Sequence, residues 1–272
     1  MPDLKSCAIH TMTFKQWTLA QCCDRFARAG IGGISVWRNV IESIGVNEAT
    51  RLCRASGLEI PALVRGGFFV NADATARQKA LDDNRTCIDE AASIGAEMVV
   101  LVCGARPDVP LPAARDQIAL GIEAMLPHAQ SNRVKLAIEP LHPMYAADRS
   151  AINRIADARH ICEKLQSPWL GVAVDVFHVW WDPDLEHEIE LLGRAKTLFG
   201  FHVCDWKADF VDPLNDRGLM GEGCIDICAI RGMVERAGFE GLNEVEIFST
   251  RHWARDPDEY LRDVTRAYQQ HV

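Results

Sequence analysis

What the chain lacks narrows the reading first. No C-x-x-C pair occurs among the ten cysteines, which stand at 7, 22, 23, 53, 87, 103, 162, 204, 224 and 228, spread over predicted helices and strands. A zinc ribbon or a disulfide framework needs tighter clustering. The thiols therefore read as small buried apolar residues in a reducing cytosol, and a cytoplasmic location is expected. Nothing approaches eighteen uninterrupted apolar residues, so no transmembrane helix is expected. The opening "MPDLKSCAIHTMTF" has no basic segment ahead of a long apolar run, so no signal peptide is expected either. Positive charge is in deficit: 29 Lys and Arg face 38 Asp and Glu, for a formal net charge of −9. That balance argues against attachment to nucleic acid or to an anionic membrane by bulk electrostatics. No linker or low-complexity segment breaks the chain, and residues 1–272 read as one domain.

What is present is rhythm. Hydrophobic residues make up 48% and charged residues 25%, the proportions of an ordinary globular protein. An amphipathic helix, a glycine or polar break and a short apolar strand recur along the chain. "SCAIH" is followed by a helix expected from about Phe14 to Ala29, then "IGGISVW". The helix around "NEATRLCRAS" leads to "LEIPALV", and a longer one, about Thr75 to Ile94, leads to "AEMVVLVCG". Residues from about Ala113 to Gln130 precede "VKLAIEP", and "DARHICEKL" precedes "LGVAVDV". "DLEHEIELLGR" precedes "LFGFHVCD", "DICAIRGMVERAG" precedes "LNEVEIF", and "DPDEYLRDVTRAYQQ" closes the chain.

Gly30, Gly57, Gly95 and Gly238 fall just past helix ends, where a left-handed residue stops a helix. The strands are short and apolar at consecutive positions, as parallel strands buried on both faces are. Eight strands and eight helices in 272 residues give about 34 residues per unit, the rhythm of a single (β/α)8 TIM barrel. A doubly wound open sheet is the runner-up. It loses because no G-x-G-x-x-G turn follows the first strand.

In a barrel, residues at the C-terminal ends of strands converge on one face. Glu139 in "LAIEP", Asp175 in "VAVDV", His202 in "FGFHVCD" and Glu246 in "NEVEIF" end four consecutive strands. A carboxylate such as Asp175 inside an apolar strand costs several kcal/mol unless a charge or hydrogen bond meets it. Three carboxylates side by side need a cation between them. Three oxygens and one imidazole suit Mn²⁺, Co²⁺, Fe²⁺, Mg²⁺ or Zn²⁺. Taken singly, Glu139 could open a solvated loop, and His202 could be a core histidine. Glu244 shares a strand face with Glu246, and distance from the strand end favours Glu246.

These residues resemble the xylose-isomerase-like superfamily of sugar isomerases and epimerases, with its keto-sugar 3-epimerases and inosose isomerases and dehydratases. "IEP" at Glu139, "DVFH" at Asp175–His178, "HVCD" at His202–Asp205, "GEG" at Gly221–Gly223 and "VEIF" at Glu246 carry the resemblance over essentially the whole length. It implies one divalent metal, often Mn²⁺, held by Glu139, Asp175, His202 and Glu246. It implies substrate contact by His178, acid–base roles for Glu139 and Glu246, and a tendency to form homodimers. Several keto-sugar epimerases carry an arginine six residues after the metal histidine. Here that position is Ala208, and Lys207 or Arg217 is expected to substitute.

Aromatic placement favours a sugar-like ligand. Trp37, Trp180, Trp181, Trp206 and Trp253 follow predicted strand ends, where indole faces pack on the C–H face of a ring or simply plug loops. His10, Trp37, Arg65, Trp181 and Arg217 are candidate substrate contacts, and Asp205 and Glu222 are candidate supports that orient ligands. A small sugar or polyol is the expected partner. The leading function is proton-transfer isomerisation or epimerisation beside a carbonyl through an enediolate, and dehydration of an inosose-like substrate is the alternative. A DNA-repair endonuclease would need more metal ligands and a basic face. A sugar-binding module would have no use for the glutamate pair.

Overall fold

Eight parallel strands close into a barrel in sequence order, with β8 returning to pair with β1. The computed structural model describes residues 2–272. The strands are β1 Cys7–His10, β2 Gly33–Trp37, β3 Ala62–Gly67, β4 Met98–Val102, β5 Lys135–Ile138, β6 Leu170–Asp175, β7 Leu198–Val203 and β8 Asn243–Val245. The major outer helices are α1 Leu19–Arg28, α3 Val46–Ser56, α4 Ala74–Ile94, α5 Leu111–Asn132, α6 Ile155–Leu165, α8 Leu185–Ala195, α9 Ile227–Arg236 and α11 Pro257–His271. Three shorter ones, α2 Arg38–Ile44, α7 Val176–Val179 and α10 Thr250–Trp253, sit in loops at strand ends. The architecture is the single (β/α)8 TIM barrel that the helix–strand rhythm implies. No helix among the described residues is long and apolar enough to cross a membrane.

Two differences from the sequence reading have local causes. The first helix begins at Leu19, not near Phe14, because Thr18 and Gln21 form a reciprocal capping box at its start. Phe14 instead ends a 3-10 turn and stacks on Trp17. The three loop helices are too short to leave a hydrophobic period in the sequence. Gly57 and Gly95 end α3 and α4 in the left-handed conformation, as expected of helix-stopping glycines.

Alternation on the strands separates two cores. One face of the strands packs against the helices, with Ile9, Ile34, Leu63, Val99, Leu136, Val172, Phe201 and Val245 fully buried or nearly so. The other face fills the lumen, where Ala62, Val64, Met98, Val100, Ala137 and Ala173 form a small apolar cluster under Trp37. Two residues further along the same face come the charged groups: Glu139 above Ala137, Asp175 above Ala173, His202 above Gly200. The floor of the site is thus set by the strands that carry it.

Candidate metal centre

Asp175 closes β6 and pairs in register with His202 on β7, which pairs in turn with Glu244 on β8. Glu246 follows one residue past the end of β8, and Glu139 one past the end of β5. One ligand atom from each of Glu139, Asp175, His202 and Glu246 can be chosen so that all lie within 4.8 Å of one another. All four side chains are buried.

The cluster holds four carboxylates, counting Glu244, against three groups able to carry positive charge. Arg217 Nη1 lies 2.9 Å from Asp175 Oδ2 and 2.8 Å from Glu246 Oε2. His10 bridges Glu244 and Glu246, with Nε2 3.3 Å from Glu244 and Nδ1 3.0 Å from Glu246. His202 Nδ1 lies 2.9 Å from Glu139 Oε1. Asp175 Oδ1, meanwhile, accepts the Phe177 N–H at 2.9 Å and caps α7. The carboxylate that interrupts an apolar strand has its partners.

Protonation follows from this arrangement. Burial pulls the imidazoles of His10 and His202 towards neutrality, but the surrounding carboxylates outweigh it. His10 is raised, and His202 is carried up to about 10. Burial pushes Asp175 up to about 7 against the pull of Arg217, with Glu246 and Glu139 adding repulsion. Glu246 is driven the other way: burial alone would raise it, but His10 and Arg217 hold it well below the usual carboxylate range. Asp175 therefore takes up a proton before Glu246 does. His178 is held well below the usual imidazole range by burial and by Arg217, so its ring is neutral near pH 7.

The donor set fits a divalent cation on a further observation. Both ring nitrogens of His202 and Oε1 of Glu139 are buried with no hydrogen-bond partner among the described residues. His202 Nδ1 and Glu139 Oε1 are 2.9 Å apart yet poorly directed at each other, as two donors to one ion would be.

The other expected site residues distribute as follows. His178 accepts the His142 N–H on Nδ1 at 3.2 Å, and its Nε2 is 3.1 Å from Arg217 Nη2. Trp37 reaches His10 Nδ1 through its indole N–H at 3.1 Å. Arg65 lies along β3 with its guanidinium carbon 5.8 Å from the Trp37 ring centre. Of the two expected substitutes for the missing arginine, Arg217 enters the cluster, while Lys207 is paired with Asp216 and Asp209 outside it. Trp181 donates to the His178 carbonyl at 2.8 Å, bracing the loop after β6. Trp206 stacks between Phe177 and Phe210 as a plug.

Asp205 differs from the expectation that it orients a ligand side chain. Its carboxylate accepts four backbone N–H groups, from Trp206, Gly221, Gly223 and Ile225, at 2.8–3.0 Å. It folds the glycine loop back on the mouth. Gly223 is required there, since a Cβ would stand 2.1 Å from the Trp206 carbonyl oxygen. Glu222 likewise meets no residue of the cluster; it pairs with His252 at 3.2 Å and accepts the Leu219 N–H. Glu244, which distance from the strand end sets behind Glu246, joins the cluster as well. It sits one inward step deeper, accepts from Ser35 Oγ at 2.5 Å, and underlies both His10 and His202. Its spacing from Glu246 was the available signal.

The family model for the xylose isomerase-like TIM barrel matches residues 23–270. The chain belongs to that family. Among solved structures, this xylose isomerase-like barrel is similar to a protein from Sinorhizobium meliloti 1021. The identity is 45% and the TM-score 0.96, over 99% of each chain. It also resembles the IolI protein with a bound zinc atom, at 17% identity and a TM-score of 0.84, over 96% of each chain. The 3-keto-D-glucoside 4-epimerase YcjR of E. coli follows at 16% identity and 0.78, over 97% of this chain and 99% of that one. The last two likenesses are of fold. No curated protein matches the chain.

Proposed function

We propose that the protein is a divalent-metal-dependent isomerase or epimerase of sugars or polyols. The observation that carries this reading is the set Glu139, Asp175, His202 and Glu246, converging within 4.8 Å with orphaned donors among them. These four would hold the ion, with Mn²⁺ the leading choice and zinc supported by the zinc atom bound in IolI. A bound divalent ion supplies polarisation of a carbonyl, which acidifies the adjacent C–H.

The chain's own groups would do the rest. Glu139 and Glu246 reach the cluster from β5 and β8, on two sides of it, so that one carboxylate can take a proton while the other returns one. His10 and Arg217 keep Glu246 ionised, so it would enter the reaction as a carboxylate. His178, whose ring is neutral, and Nη2 of the charged Arg217 lie side by side and would meet substrate oxygens, with the Trp37 indole nearby. The names of similar folds, a 3-keto-D-glucoside 4-epimerase and a D-psicose 3-epimerase, support a small sugar-like substrate.

The test is turnover of a keto-sugar and inosose panel in D₂O, using chelator-stripped protein with and without added Mn²⁺ or Zn²⁺. Metal-dependent deuterium uptake beside the carbonyl, with product mass otherwise retained, is expected. A product lighter by one water would make the protein a dehydratase, and no exchange across the panel would overturn the reading.

A further inference from the structure

Most basic side chains of this acidic chain are neutralised where they stand. Among the described residues, two half-buried guanidinium groups have neither a carboxylate at ion-pair distance nor a side-chain hydrogen bond: Arg65 and Arg149. Both stand at the mouth of the barrel. Arg65 belongs to β3, whose end is fixed by Asn84, which accepts the Gly67 N–H and donates to the Gly67 carbonyl. Its guanidinium carbon is 4.7 Å from the ring centre of Phe68, itself 43% exposed, and 5.8 Å from that of Trp37. Arg149 comes from the loop after β5, its guanidinium carbon 5.4 Å from the Tyr145 ring centre. That ring is 5.8 Å from the His178 imidazole. The two arginines therefore flank the end of β4, each connected to the cluster through one aromatic neighbour.

Their environment is unfavourable to them. Burial and then repulsion by Arg149 lower the pKa of Arg65 from its ordinary value, with Glu139 and Glu246 pulling the other way. Like charges kept half-buried without a counter-ion cost stability. The aromatic faces hold each guanidinium in place while leaving its N–H fork unspent. Such a pair matches the oxygens of a carboxylate or phosphate, which it can grip through two parallel hydrogen bonds. The other nearby cations are already committed: Arg217 to Asp175 and Glu246, Lys207 to Asp216.

We infer that Arg65 and Arg149 select a substrate bearing an anionic group, so that the substrate class is acidic polyhydroxy-ketones, carboxylated or phosphorylated, in preference to neutral sugars. The inference rests on the isomerase or epimerase reading above. It adds which end of the molecule is recognised: the end away from the reacting carbonyl, towards β3 and β4.

The experiment compares kcat/KM of the metal-loaded protein on matched substrates: a ketohexose, the corresponding keto-aldonate and its phosphate ester. One of the anionic substrates should exceed the neutral one by at least about tenfold, as expected for a charge-assisted hydrogen-bonded pair. Whichever of the two is faster identifies the source of the charge. Arg65→Gln and Arg149→Gln should each lower the anionic-to-neutral ratio about tenfold, and Arg65→Lys should keep part of it. Equal kcat/KM for all three substrates, or a ratio unmoved by the variants, would overturn the inference and leave the proton-transfer reading standing. Should no substrate exchange at all, that reading falls. Calorimetric titration with an aldonate, a sugar phosphate and a matched alditol then decides the anion site alone. Anion binding that is lost in Arg65→Gln supports the site, and binding no tighter than the alditol's overturns it.

Discussion

The lumen of the barrel carries two tiers on the same strands, and they differ in every chemical respect. The lower tier, with Ala62, Val64, Met98, Val100, Ala137 and Ala173, is apolar and closely packed. The upper tier, one inward step along, is Glu139, Asp175, His202 and Glu246 with Arg217 and His10 woven between them. The strand backbone is continuous across the boundary. The lower tier lowers the energy of the fold by excluding water, whereas the upper tier costs desolvation that only pairing or a bound ion repays. Glu244 stands level with His202 in the upper tier and supports both histidines.

The largest break in that comparison is Glu246→Gln. It keeps shape but removes the carboxylate proposed to move a proton, and turnover should fall about 10²- to 10⁴-fold. Near-normal activity at saturating metal would remove Glu246 from that role. His202→Ala should come next, weakening metal retention by at least about 100-fold, more than loss of an outer partner does. Unchanged metal content after dialysis would contradict the ligand assignment. Met98→Ala strikes the lower tier alone. It should cost about 2–4 kcal/mol in denaturant unfolding while the metal content stays that of the parent protein. A loss of metal in that variant would show that the tiers are not separable. The smallest effect is expected of Glu244→Gln: about tenfold weaker metal binding, through a looser hold on His202. No change there would make Glu244 a packing residue that happens to be charged.

Much of this was legible in the residues. Glycine stops, consecutive apolar strand positions and a unit of about 34 residues lead to an eightfold barrel, because each signal is local and the barrel repeats it. Glu139, Asp175, His202 and Glu246 were expected together for the same reason: each closes its own strand, and strand ends converge on one face. The two glutamates of "NEVEIF" lie on one strand face by period two, and both indeed point inward.

Other placements left no local trace. The depth of Glu244 depends on the stagger between β7 and β8, which sets it level with His202, and stagger is a property of the closed sheet. Arg217 lies fifteen residues past His202, and its entry depends on how that loop folds. The loop is tied back by Asp205 through its backbone N–H groups and closed by a glycine that tolerates no Cβ. The unpartnered pair of Arg65 and Arg149 joins β3 to a loop more than eighty residues later. The sequence by itself determined the periodic elements and the chemistry at each strand end, since both are decided within a few residues. Barrel closure and loop return decided which charges meet and which two are left without a partner, because those distances exist only once the first strand pairs with the last.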